Sequence, residues 1–219
     1  MAYHQTERSE KVRAASRDAL LGAARQLFAR NGYDHTTMQD IVAAAGTSIG
    51  NAYFYFGSKQ QLLIALLERD ARDIWAGSEA AVVHLPPGAH RVAGILYANF
   101  HSMLVSHRDI VPLLLSSAHG AASLQFVEDL SVDRWTHVLG ENFPDLPAAQ
   151  RRLAGAMIWG ANRTLVARTL AGKTDLSAHG AAAFAIRWAL KGLGVAPDVI
   201  AAALRAAVRS AKRKPAAKE

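Results

Sequence analysis

The sequence predicts an all-α protein, with an N-terminal three-helix domain followed by a larger helical domain. Three observations predict it. Alanine, the strongest helix former, dominates the composition. No stretch alternates apolar and polar residues with period two, so none reads as a half-buried strand. Helix start and stop signals recur along the chain, closely spaced at first and more widely later. The 219 residues are 51% hydrophobic, enough for a packed core and too apolar for a disordered chain. The domain boundaries fall at residues 16–62 and 63–212.

Residues 1–15 carry charges of both signs and read as a mobile arm. The first helix is expected over residues 17–30, with Leu20, Ala24, Leu27 and Phe28 on one face. Asn31 and Gly32 supply a left-handed stop. The second helix opens on a capping box, Thr37 with Asp40 three residues on. Met38, Ile41, Val42 and Ala45 face inward, and Gly46 ends it. A third helix begins at Thr47 or Ser48 and ends near Phe56 and Gly57. The fourth starts at Ser58, with Gln61 at the box position, and runs through Leu62, Leu63, Leu66, Leu67 and Trp75 to about Val82.

Residues 84–88, with two consecutive prolines and a glycine, break that helix. Longer helices are expected beyond it, over 89–107, 109–117, 122–140, 147–171, 176–193 and 197–212. Pro112 implies a kink or a short first turn, and Pro147 and Pro197 suit first turns. Residues 142–145 and 172–175 read as loops, and the tail 212–219 as disordered. No internal repeat is found.

The absence of cysteine excludes disulfides, thiolate metal sites and cysteine nucleophiles. The first residues form no signal peptide and no apolar run approaches membrane length, so a soluble cytoplasmic protein is expected. The net charge of +7 invites a nucleic-acid reading. Most of the excess, a surplus of five, lies from Arg205 onward, where Arg205, Arg209, Lys212, Arg213, Lys214 and Lys218 face Glu219 alone. A DNA reading must therefore rest on a motif.

Residues 36–59 supply it: two short helices joined by a glycine turn, the second too small and too polar to be core. That is the layout of a helix-turn-helix whose second helix enters the major groove. Thr47 and Ser48 sit at its N-terminus, where N–H groups and hydroxyls suit phosphate or base contacts. Gly50 allows close backbone approach, and Asn51 suits a two-bond contact to adenine. Tyr53 and Tyr55 offer hydroxyls to phosphates, Lys59 a phosphate partner, and Thr36 and Thr37 a clamp on the opposite backbone. Ala52 and Phe56 share the inward face and read as core. Thr37 serves as a cap, a DNA contact, or both.

The run from Gly32 to Leu63 resembles the N-terminal domain of the tetracycline-repressor (TetR-like) family. The matching features are Gly32-Tyr33, Thr36-Thr37, Ile41 through Gly46, Gly50, Tyr53 through Phe56, and Lys59, and the resemblance covers about residues 16–67. Ile49 and Ala52 depart from the family's commoner residues. The resemblance implies a homodimeric transcriptional repressor of double-stranded operator DNA. One recognition helix per chain reads too few base pairs alone, so an inverted-repeat site bound by a dimer or a pair of dimers is expected. The resemblance also implies DNA contacts at Thr37, Thr47, Ser48, Gly50, Asn51, Tyr53, Tyr55 and Lys59, and a C-terminal domain that binds a small-molecule effector.

The C-terminal two thirds are less specific. Apolar stripes are punctuated by Tyr97, Asn99, His101, Trp135 and His137, and further on by Met157, Trp159, Asn162 and Arg163. An apolar cavity with a few polar groups is what a ligand site needs. Tyr97, Phe100, His101, Trp135, Trp159, Asn162 and Arg163 are the candidates; ordinary core with satisfied polar tips is the competing reading. Small residues at Gly155, Ala156, Gly160 and Ala161, and at Gly180, Ala181, Ala182, Ala183 and Ala185, suit either a dimer interface or a tight intrachain contact, and the resemblance places a dimer interface near residues 147–193.

No enzyme is expected. The histidines form no His-Glu-x-x-His pattern, and no phosphate loop or nucleophile elbow is present. His137 and Glu141 alone are a weak metal pair, so neither a metal nor a cofactor is expected. The alternatives are a helical ligand-binding or protein-interaction module without specific DNA binding, and a non-specific anionic-surface binder acting through the basic tail.

Overall fold

The computed structural model describes residues 2–115 and 121–211, and the side chains of residues 10–113 and 124–211. Among the described residues there are ten helices and no strand. They are α1 Ala2–Asn31, α2 Met38–Ala45, α3 Ile49–Tyr55, α4 Lys59–Val82, α5 Ala89–Leu104, α6 Val111–Leu115, α7 Ala121–Asn142, α8 Ala148–Leu170, α9 Ala178–Gly192 and α10 Pro197–Ala211. The expected tail at 212–219 lies outside the described residues, as does the expected C-terminal end of the helix over 109–117. No helix among the described residues is long and apolar enough to cross a membrane.

The N-terminal arm is a correction. Residues 2–16 extend α1 rather than standing apart from it. The segment holds neither glycine nor proline and is rich in Ala, Glu, Lys and Arg, so helix propagation meets no breaker even though residues 10–15 are exposed. Only from Leu20 does α1 acquire a buried face, with Leu21, Ala24 and Phe28.

The capping signals form as the residues dictate. Thr37 Oγ1 accepts from the Asp40 N–H, and Asp40 Oδ2 accepts from the Thr37 N–H. Gly46 ends α2 in the left-handed region at φ 65°, with its N–H and that of Thr47 returned to carbonyls of α2. Ser48 caps α3 by accepting from the Asn51 N–H, and Ser58 caps α4 by accepting from the Gln61 N–H. The Gln61 side chain reaches one residue further back than a standard box, accepting from the Gly57 N–H.

Helix α4 runs unbroken out of the first domain and packs against α1, α5, α7 and α10. Helix α5 is the centre of the second domain, covered by α4, α9 and α10, while α7 and α8 pair beside it. It stops at Leu104, three residues before the expected end; the Val105 and Ser106 N–H groups still bond the His101 and Ser102 carbonyls in helical register, and the His107 N–H leaves that register to share the Ser102 carbonyl. Gly155 settles one small-residue question. A Cβ there would lie 3.2 Å from the Trp135 Cβ and from the Val132 carbonyl oxygen, so this glycine serves α7–α8 packing within the chain.

Candidate DNA interface and its link to the second domain

Helix α3 is anchored from beneath and open above. Ala52 is fully buried and Phe56 nearly so, with the Arg17 guanidinium 5.4 Å from the Phe56 ring centre. Gly50 is exposed with open space around it. Tyr53 is 51% exposed and Phe54 71% exposed. Tyr55 is half-buried, between the rings of Phe54 and Phe56. At the N-terminus, Asn51 Nδ2 donates to Thr47 Oγ1 at 2.7 Å, which joins Thr47, Ser48 and Asn51 into one polar cluster. The open face of a seven-residue helix with a firm base is thus formed by Ile49, Gly50, Tyr53 and Phe54. Phe54 was not singled out from sequence. Its exposure next to two better-buried aromatics is a property of helical phase, which the Tyr-Phe-Tyr-Phe run conceals.

Two expected contacts sit elsewhere. Thr36 is fully buried, and its hydroxyl donates to the Gly32 carbonyl at 2.8 Å. Its side chain is a correction: it closes the α1–α2 turn and is not available to clamp a phosphate. The Lys59 ammonium donates to the Tyr33 and Thr36 carbonyls, both at 2.9 Å, and lies 4.2 Å from the Tyr33 ring centre. Thr37 is exposed. Its hydroxyl also donates to Asp40 Oδ2, and this bond together with the Thr37 N–H holds the Asp40 carboxyl below its ordinary pKa. No Lys or Arg occurs between Asn31 and Ser58, so this face offers neutral donors and helix N-termini to an anion.

The two domains are joined by an ion cluster that sequence reading missed. Arg25 of α1 donates from Nε and Nη2 to both carboxylate oxygens of Asp109, at 2.9 and 2.8 Å, and from Nη1 to Asp70 of α4 at 3.1 Å. Arg69 also reaches Asp70 at 3.4 Å. Asp109 precedes α6, so one guanidinium ties the first domain to two elements of the second. The residues are 84 and 45 positions apart, and no local spacing could have shown this. Hydrogen bonding to Arg25 lowers the Asp109 pKa, whereas burial raises that of Asp70 against the pull of Arg25 and Arg69.

A pH dependence follows. The Asp109 pKa is lower folded than unfolded, so its stabilisation is present above the ordinary carboxylate value and is lost as pH falls through the folded value. Asp109→Asn should cost about 1 kcal/mol at neutral pH, a bidentate pair weakened by its exposure. Urea unfolding of both proteins should show a constant gap from about pH 8 to 5 that narrows below about pH 4. A gap that widens toward acid would contradict the assignment.

The second domain holds a small, partly open cavity among α4, α5, α6, α7 and α8, lined by Ile74, Trp75, Met103, Val111, Ser131 and Trp159 among others. Its open space is about 20 Å³, room for one water molecule. Of the expected ligand residues, Trp159 lines it directly, and Trp135 meets Trp75 edge-on at 5.1 Å. Phe100 is buried core. Tyr97 shares a hydrogen bond with His179 Nδ1 of α9 at 3.0 Å. Asn162 is buried and Arg163 half-buried. His101 is exposed on the outer side of α5 and takes no part in the cavity, which corrects its selection. Among the described residues no group of three or more His, Cys, Asp and Glu side chains could hold a metal ion.

Fold and interface together define an all-α protein with an N-terminal helix-turn-helix. Residues 20–66 match the family model described as bacterial regulatory proteins, tetR family. The match is confined to the N-terminal domain, which is similar to that of this family. It is 35% identical over 86 residues to the HTH-type transcriptional regulator BetI of Agrobacterium fabrum, across 39% of this chain and 42% of the relative. It is 41% identical over 51 residues to QacR of Staphylococcus aureus, across 23% and 27%. The chain thus spans less than half the length of these two curated relatives. The fatty acid degradation regulator FadR from Bacillus halodurans has the same fold, with a TM-score of 0.65 at 20% identity over 80% of this chain and 98% of that one.

Proposed function

We propose that this protein is a ligand-responsive transcriptional regulator, a repressor in its simplest form, that binds an inverted-repeat operator as a homodimer. The observation that carries the reading is the open face of α3, held on a doubly capped base. A single seven-residue helix reads too few base pairs for useful specificity, which favours a pair of them. The second copy is expected against α8 and α9, where Leu153, Met157, Phe184 and Trp188 are exposed apolar side chains. Thr37, Thr47, Ser48, Gly50, Asn51, Tyr53 and Tyr55 are the proposed DNA contacts, with Phe54 added for thymine methyl or sugar packing.

The effector would act through the cavity. Val111 lines it, and Asp109, two residues earlier, holds Arg25 of the DNA-reading domain. Moving this wall strains or releases the Arg25 cluster, and α4 carries the same signal through Asp70. An effector that favours the arrangement unable to bind DNA must, by linkage, bind more weakly when DNA is present.

Selection from a random duplex library should enrich an inverted repeat, and light scattering with the selected duplex should give two chains or a multiple of two per DNA. No enrichment, or one chain per duplex, would overturn this reading.

A further inference from the structure

Resting on the regulator reading above, we infer that α3 reads its half-site through thymine methyl groups, so that the base pairs beneath it are A·T and no guanine is required there. The open face of the helix carries the argument. Ile49 with Tyr53, and Gly50 with Phe54, are two pairs one helical turn apart, so the four positions share one side. Between Val12 and Val83 the exposed large hydrophobic side chains are these three, Ile49, Tyr53 and Phe54. Apolar exposure confined in this way to one helix face marks a contact surface.

What α3 lacks is equally informative. In the major groove guanine presents O6 and N7, which Arg or Lys reads, and cytosine an amino group, which Asp or Glu reads. Adenine presents N6 and N7 to Asn or Gln, and thymine a methyl group to an apolar side chain. Helix α3 holds no Lys, Arg, His, Gln, Asp or Glu. Two cations near its C-terminal end are engaged within the domain: Arg17 lies 5.4 Å from the Phe56 ring centre, and Lys59 bonds the Tyr33 and Thr36 carbonyls. Asn51 is half-buried and gives an Nδ2 hydrogen to Thr47. Its remaining amide hydrogen and its oxygen suit adenine, the partner of thymine. The Thr47 and Ser48 oxygens already accept from Asn51, and their own hydrogens suit any base acceptor without choosing among bases.

Over a G·C pair the apolar face would strip water from guanine O6 and N7 and from the cytosine amino group, with no partner in return. Over an A·T pair it buries a methyl group, while Asn51 answers the adenine edge. Discrimination thus combines a methyl gained on one pair with polar edges left unpaired on the other.

The test is fluorescence anisotropy of the full chain on the duplex it selects from a random library, with single bases replaced symmetrically in both half-sites. Deoxyuridine keeps the hydrogen-bonding groups of thymidine and lacks only the methyl. At about two thymines per half-site it should weaken binding about fourfold per methyl, hence about fifteenfold for the symmetric pair, as the burial of one methyl by each chain allows. Replacing the same T·A pair by C·G should cost more, and 5-methylcytosine in place of cytosine should recover about fourfold per methyl. Phe54→Ala and Ile49→Ala should each bring the thymine-to-uracil ratio close to one at one of these positions. Both side chains are exposed, so the core does not depend on them. Uracil tolerated at every thymine, or a selected repeat with no thymine in its half-sites, would overturn the inference, and so would both variants keeping the wild-type ratio at every position. Protein that selects a duplex indifferent to uracil keeps the regulator and loses the methyl readout. Protein that selects no duplex loses both.

Discussion

Trp188→Glu should convert the protein to a folded monomer and lower its affinity for the selected inverted repeat at least a hundredfold. Trp188 is 42% exposed on α9, and Met157 is 60% exposed on α8. Both line a cleft of about 470 Å³, together with Ala154, Ile158 and Leu193. A tryptophan facing such a cleft has the composition of an interface hot spot, where truncation alone costs about 2 kcal/mol or more. Glutamate adds an unpaired charge to a surface that a second copy would dry out, once from each chain. The inward face of α9 (Ala181, Ala182, Ile186 and Leu190) is untouched, so helicity and melting temperature should change little. Each monomer would then hold a half-site alone. A dimeric Trp188→Glu protein with full operator affinity would move the dimer face elsewhere.

Local chemistry was legible in the sequence because it is written within a few residues. Thr37 with Asp40, Gly46, Ser48 and Ser58 each announce a helix end through one side chain or one backbone conformation. The same holds for the prolines that place α8 and α10. What stayed hidden depends on the third dimension. Arg25 looks like one more exposed cation until the fold sets it between Asp70 and Asp109. Gly155 cannot be told from Gly160 by sequence, yet one meets α7 and the other faces open space. His101 shares an amphipathic helix with the buried Phe100 and Met103, and one position of phase puts it outside. The extension of α1 escaped because it has no apolar stripe, and helix propensity alone was enough to continue it.

Lys59→Met separates two meanings of a lysine at the start of α4, and a stability loss of about 2 kcal/mol is expected. The ammonium makes two charge-assisted bonds to the Tyr33 and Thr36 carbonyls and a cation–π contact with Tyr33. Bonds of this kind are worth about 1.5–3 kcal/mol when buried and less at this half-exposed site. Methionine keeps the apolar stem and removes the charge, so the loss reports the ammonium itself. The loosened segment is the turn that leads into the Thr37 cap, which sets where α2, and through Gly46 α3, meets the groove. DNA affinity should fall on matched and mismatched duplexes alike, by no more than the factor of about 30 that this energy allows. The slope of log affinity against log salt should stay within about half a unit of wild type, because no phosphate partner is lost. A lysine paired directly with phosphate would behave in the opposite way, with stability unchanged and the slope reduced by about one per chain. Urea unfolding and a salt titration of the same variant therefore decide whether Lys59 builds the interface or touches the DNA.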